Sequence, residues 1–139
     1  MLVEQISKET GVIVRYLELL GRTASHRYKC YPIKKRNGDD RIIAHPSRQL
    51  KFIQRWLTAN LFSHIPIHQV ATAYRKGRNV RANAECHKNG NFLLKLDIES
   101  FFPSITSADV RWLLSSNKPR FPFELTENDE NFVVNIVTR

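Results

Sequence analysis

The stretch KLDIESFFPSI, residues 95–105, decides how this chain is read. An apolar run of Phe92, Leu93, Leu94 and Leu96, broken only by Lys95, leads to Asp97. Glu99 follows, then two phenylalanines, Phe101 and Phe102, and Pro103. The run comes after the turn signal KNGN at 88–91, so it reads as a strand over 92–97 with an acid at its end. An aspartate in that place has two readings. It caps the helix that follows, or it is a fixed carboxylate at the rim of a site.

Downstream of the strand, Thr106 with Asp109 and Thr126 with Asp129 each form a capping-box pattern ahead of an apolar periodic segment. They predict helices over 107–116 and 127–138. Asp129 and Glu130 fall inside the second helical pattern and are read as structural. Upstream, Asn79 caps a helix running to His87, and a helix spans Pro46 to Phe62 on the stripe Leu50, Ile53, Leu57 and Leu61. Before it, RYKCYPIKK and RIIAH flank an Asn-Gly pair, a hairpin signal because both residues tolerate positive φ. Residues 2–21 carry apolar residues at helical spacing (Val12, Ile13, Tyr16, Leu17, Leu20), with Gly11 as a break and Gly21 as a stop. The fold class is α+β.

A chain of 139 residues, 42% hydrophobic and 25% charged, is one modest globular unit. The sequence shows neither a run long enough to span a membrane nor a signal-peptide pattern, so the expected setting is cytoplasmic without a membrane partner. Cys30 and Cys86 lack metal-ligand spacing and read as reduced thiols. The net charge of +9 is concentrated: residues 22–96 hold 16 Lys/Arg against three acids, while the flanks hold six against ten. Such a segment favours a polyanionic partner, nucleic acid first.

A nucleic-acid partner changes what Asp97 can be. Phosphoryl-transfer sites hold Mg²⁺ through one or two carboxylates, with substrate phosphates completing the shell. They also need cations for a triphosphate. Lys35 and Arg41, at the two ends of the hairpin loop, are candidates, alongside the bland reading of a solvated charge run. A ring beside such a site packs on a sugar.

LKLDIESFFPSI resembles the first palm motif of reverse transcriptases. The resemblance implies a right-hand polymerase fold, incomplete here, with Asp97 as catalytic metal ligand and the carbonyl of Ile98 as a second. It places Phe102 as the sugar-discriminating aromatic, with Phe101 packing in the core and Glu99 facing solvent or starting a helix. IKKRNGDDRIIAHPSRQLKFIQRWL is similar to the fingers hairpin and the helix after it in bacterial members of that family. There Lys35 and Arg41 clasp the incoming nucleotide, and Arg48, Lys51 and Arg55 stand on the outer faces of the helix. ATAYRKGRNVRANAECH is similar to the next fingers segment, bringing Arg75, Arg78 and Arg81 near template or nucleotide. Asn83-Ala84-Glu85-Cys86-His87 fits the N-A-x-x-H signature of retron reverse transcriptases, its two polar residues either touching RNA or bracing the fold.

The resemblance divides the chain into an N-terminal helical segment (1–26), fingers (27–91) and the start of a palm (92–139). It implies copying of a structured noncoding RNA, template and primer together, with dNTPs and Mg²⁺. The product is a branched RNA-linked DNA (msDNA), and an effector protein in anti-phage defence is an expected partner. The family's later motifs, L-P-Q-G and Y-x-D-D, and its thumb are missing. The expectation is therefore a chain cut near Arg139, inactive alone, whose other metal carboxylates lie elsewhere. Two alternatives stay open: a non-catalytic RNA-binding remnant, and a reverse transcriptase of the group II intron or abortive-infection type.

Overall fold

The computed structural model describes residues 1–34, 38–73, 75 and 77–138. Lys35, expected at the hairpin tip, lies outside the described residues.

The chain begins with two short helices, α1 (Leu2–Thr10) and α2 (Val14–Arg22). Gly11 breaks them as expected: at φ 73° it takes the left-handed conformation, and its N–H donates to the carbonyl of Ser7 at 2.9 Å. A single 3₁₀ turn, Ala24–His26, leads into the hairpin. Its strands β1 (Tyr28–Lys34) and β2 (Asp40–Pro46) are antiparallel, with Tyr28 opposite Pro46 and Lys34 opposite Asp40. Ser47 then caps α3 (Arg48–Asn60), its Oγ accepting from the Leu50 N–H at 3.3 Å. The predicted stripe of Leu50, Ile53, Leu57 and Leu61 is buried along its whole length.

Asn79 caps α4 (Val80–Glu85), its Oδ1 accepting from the Ala82 N–H at 2.8 Å. The helix stops at Glu85, short of the expected His87, because the chain tightens: the His87 N–H reaches back only to the carbonyl of Ala84. After the one-turn helix α5 (Phe101–Ser104), both capping boxes form as expected. They open α6 (Ser107–Asn117) and α7 (Glu127–Val137).

The core is built around α7, which packs against α2, α3 and α6. Phe132, Val133, Val134 and Ile136 supply its buried side. Gly21 permits the close approach of α2: a Cβ there would lie 2.8 Å from Cδ2 of Phe132. Two polar groups lock the packing. The Gln54 amide donates to Oη of Tyr28 at 3.0 Å and to the carbonyl of Ile136 at 2.9 Å, joining hairpin, α3 and α7. Asp129, only 1% exposed, turns Oδ2 to its own cap and Oδ1 to the N–H of Leu2 at 2.9 Å. One of the unpaired N–H groups opening α1 is thereby satisfied from the far end of the sequence.

The expected strand over 92–97 is not formed; among the described residues the sheet has two strands, β1 and β2. The reason is pairing. A strand's backbone N–H and C=O groups alternate along its two edges and need a neighbour, and among the described residues no strand pairs with 92–97. Its side chains are correspondingly bare, with Phe92 97% and Leu94 80% exposed.

Candidate functional site

The bare segment leads into the loop that carries the predicted acid. Ser100, a non-glycine residue at φ 54°, turns the chain between Asp97 and α5. L-residues adopt that conformation at a cost of about 1–2 kcal/mol. Such strain clusters at functional positions, and nothing in the sequence pattern announces it.

Beyond this turn the loop folds toward β2. Asp97, Ile98 and Phe102 line one open cleft of ≈ 860 Å³ together with Arg41 and Ala44 of β2. Four residues singled out in the sequence are thus brought together from stretches more than fifty positions apart. Asp97 does not cap the next helix: the residue at that place is Ser100, and Asp97 has no hydrogen-bond or ion-pair partner among the described residues. Phe101 is not a core residue either. It stands 50% exposed, edge-on to Phe102 with ring centroids 5.3 Å apart, with no element among the described residues burying it. Phe102 is 62% exposed, an uncovered ring on the cleft wall.

The charges in the cleft are uneven. Asp40 is taken up by Lys34 at 2.8 Å on the neighbouring strand. Asp97 and Glu99 remain as carboxylates without a protein cation, and Arg41 as a cation without a protein carboxylate, among the described residues. A hard divalent ion needs oxygen ligands, and Mg²⁺ commonly takes one or two from carboxylates. The carboxylate of Asp97 and the carbonyl of Ile98 are donors of the right kind, but only part of a set. Among the described residues no group of three or more His, Cys, Asp or Glu side chains could hold a metal.

The other expected nucleic-acid contacts do not line this cleft. Arg48 stands at a separate apolar pocket of ≈ 230 Å³ with Tyr16 and Phe52. Lys51 is half-buried and Arg55 exposed on α3. Arg75 donates to the carbonyl of Gln69 at 3.5 Å, which holds it against its own loop. Arg78, Arg81, Asn83 and His87 are exposed on and around α4. His87 lies in the turn after the helix, so the shared helical face expected for Asn83 and His87 is not formed.

No protein-family model matches the chain. Among characterised proteins it is 37% identical over 112 residues to the retron Ec73 reverse transcriptase of Escherichia coli, covering 79% of this chain and 35% of that protein. Over about four fifths of its own length, this chain is similar to retron reverse transcriptases. The retron Ec83 reverse transcriptase of E. coli is 47% identical over 88 residues, and the retron Mx162 reverse transcriptase of Myxococcus xanthus is 38% identical over 116. The chain spans only about a third or less of these retron enzymes, from 24% to 35% of their length. Among the described residues, no helix is long and apolar enough to cross a membrane.

Proposed function

We propose that the chain carries the nucleotide-facing part of a retron-type RNA-directed DNA polymerase. The observation that supports this best is the cleft shared by Asp97, Ile98, Phe102 and Arg41 in a chain related to retron reverse transcriptases. In this reading, Asp97 is one carboxylate ligand of the catalytic Mg²⁺ and Ile98 lends its carbonyl. Arg41, with Lys35, meets the triphosphate, and the ring of Phe102 packs on the sugar. The metal lowers the barrier by stabilising charge on the transferring phosphoryl group. The basic residues of α3 and α4, from Arg48 to His87, hold the RNA. Residues 27–91 act as fingers and 92–139 as the start of a palm in a right-hand polymerase, behind the helical segment 1–26.

The substrate of this reading is a structured noncoding RNA that serves as template and primer in the cytoplasm. Its product is branched RNA-linked DNA, made in an anti-phage system with an effector protein. The remaining metal carboxylates come from residues outside this chain, and the chain alone is inactive. The test is primer extension on such an RNA with Mg²⁺ and dNTPs. It compares the 139-residue chain with the same chain joined to the remaining part of a retron reverse transcriptase. Extension is expected from the joined protein only. Asp97→Ala should lower it by about 10³-fold, or ~4 kcal/mol of barrier, with RNA affinity held within about twofold. Extension that survives Asp97→Ala overturns the site.

A second reading rests on the incomplete donor set: an RNA-binding module without catalysis. RNA binding with no extension from the joined protein would favour it.

A further inference from the structure

A second cleft carries a charge pattern that neither the fold nor the Asp97 site uses. It has a volume of ≈ 330 Å³ and lies where the end of α2, the first turns of α6 and the end of α7 meet. Arg22 and Arg111 face it from two different helices, joined by Ser25, Ser107, Asn135 and Thr138. No carboxylate lines it, and neither arginine has an acidic partner among the described residues. Two exposed guanidinium groups line this cleft without a counter-charge among the described residues, a setting that suits an anion. Guanidinium forks with hydroxyl donors beside them suit the tetrahedral oxygens of a phosphate.

We propose that Arg22 and Arg111 hold backbone phosphates of a nucleic-acid strand that also passes the Asp97 cleft. The choice of a strand over a free anion comes from what lies between. The arginine cleft shares Thr138 with a groove of ≈ 710 Å³. Tyr28, Phe102, Pro103 and Ile105 line that groove, and it shares Ala44, Phe102 and Pro103 with the Asp97 cleft. The three depressions adjoin one another, with rings in the middle, Arg22 and Arg111 at one end, and Arg41 beside Asp97 and Glu99 at the other. Single strands are bound in this way, bases stacked on aromatic faces and phosphates on basic residues. Arg111 extends the basic footprint beyond residues 22–96, into a flank whose net charge is negative. The proposal rests on the nucleic-acid reading above and adds a second site to it.

The test is equilibrium binding of the 139-residue chain to a fluorescein-labelled single-stranded RNA of about 20 nucleotides, followed by anisotropy across a salt series. Each phosphate neutralised on a single strand contributes about 0.7 to the slope of log affinity against log salt. The double variant R22Q/R111Q should flatten that slope by about 1.4 if each guanidinium neutralises one phosphate, and R22K/R111K should restore most of it. Unchanged melting curves show that all variants fold. Equal slopes for the wild type and R22Q/R111Q overturn the site. A free-anion site is the other outcome that overturns the proposal: there, orthophosphate binds the wild type and not R22Q/R111Q, while the two proteins bind RNA with equal slopes. This assay reads binding with Asp97 intact, so its failure is distinct from loss of extension in the Asp97 experiment.

Discussion

The helices around α7 and the segment from Phe92 to Ile105 are opposites in how they are held. In the first, apolar side chains from several helices meet in one core, and the half-buried Gln54 and the buried Asp129 both have partners. In the second, apolar side chains stand in solvent and the acid that draws attention in the sequence bonds to nothing among the described residues. Stability and candidate chemistry therefore reside in different parts of the chain. The helical part folds on its own contacts. The loop part has the composition of a buried strand and lacks the neighbours that would bury it.

The contrast can be broken by mutation, and the largest effect belongs to the core. Leu57→Ala removes a fully buried side chain from α3 and should cost about 2–5 kcal/mol in denaturant unfolding. A loss below 1 kcal/mol would mean that the helical packing is looser than drawn. Gly21→Ala should come next, at about 1–3 kcal/mol, because its Cβ collides with the ring of Phe132. Pairing it with Phe132→Leu should recover part of the loss, which ties the effect to that contact. Leu94→Ser, in the bare segment, should change unfolding by no more than about 0.5 kcal/mol. A larger loss would show that residues 92–97 are covered in the folded chain after all.

The smallest effect is a pH dependence at the start of α6. The Asp109 carboxyl is held below its ordinary value of 3.8 by the hydroxyl and then the N–H of Thr106. A lowered folded value means the carboxylate form is the one the fold favours. Its contribution is present above pH 3.8 and is lost as the pH falls through the lower folded value. Thr106→Ala should remove this component, seen as a shallower acid-side fall of the melting midpoint from about pH 4 downward. An identical fall in both proteins would show that the capping box is not formed in solution.

Much of the helical part is legible in the sequence because its signals are local. Gly11, Asn79, Thr106 and Thr126 each terminate or open a helix through atoms within four residues, which a reader can see. The hairpin follows from its turn chemistry. What the sequence hides is non-local. The pairs Thr106–Asp109 and Thr126–Asp129 look alike, and both form the same cap. Yet only Asp129 is buried, because its second oxygen reaches Leu2, 127 positions away. The strand over 92–97 fails for the same reason in reverse. Its pattern is that of a strand, but pattern cannot supply the neighbour. At the candidate site, the meeting of Arg41 with Asp97 follows from resemblance to a known family more than from spacing, and the bend at Ser100 has no signature at all. Arg22 and Arg111 converge only through the packing of α2 and α6 against α7.

The bond from Leu2 to Asp129 also sets an order of events during synthesis. A ribosome makes α1 first, but the carboxylate that secures its opening turn is added more than a hundred residues later. Until α7 emerges, α1 has α2 to pack against but lacks that bond. Helices this short are marginal by themselves. The nascent chain therefore carries α1 incompletely secured and open to chaperones while the basic hairpin and α3 are being made. The opening turn of α1 is secured only when α7 arrives.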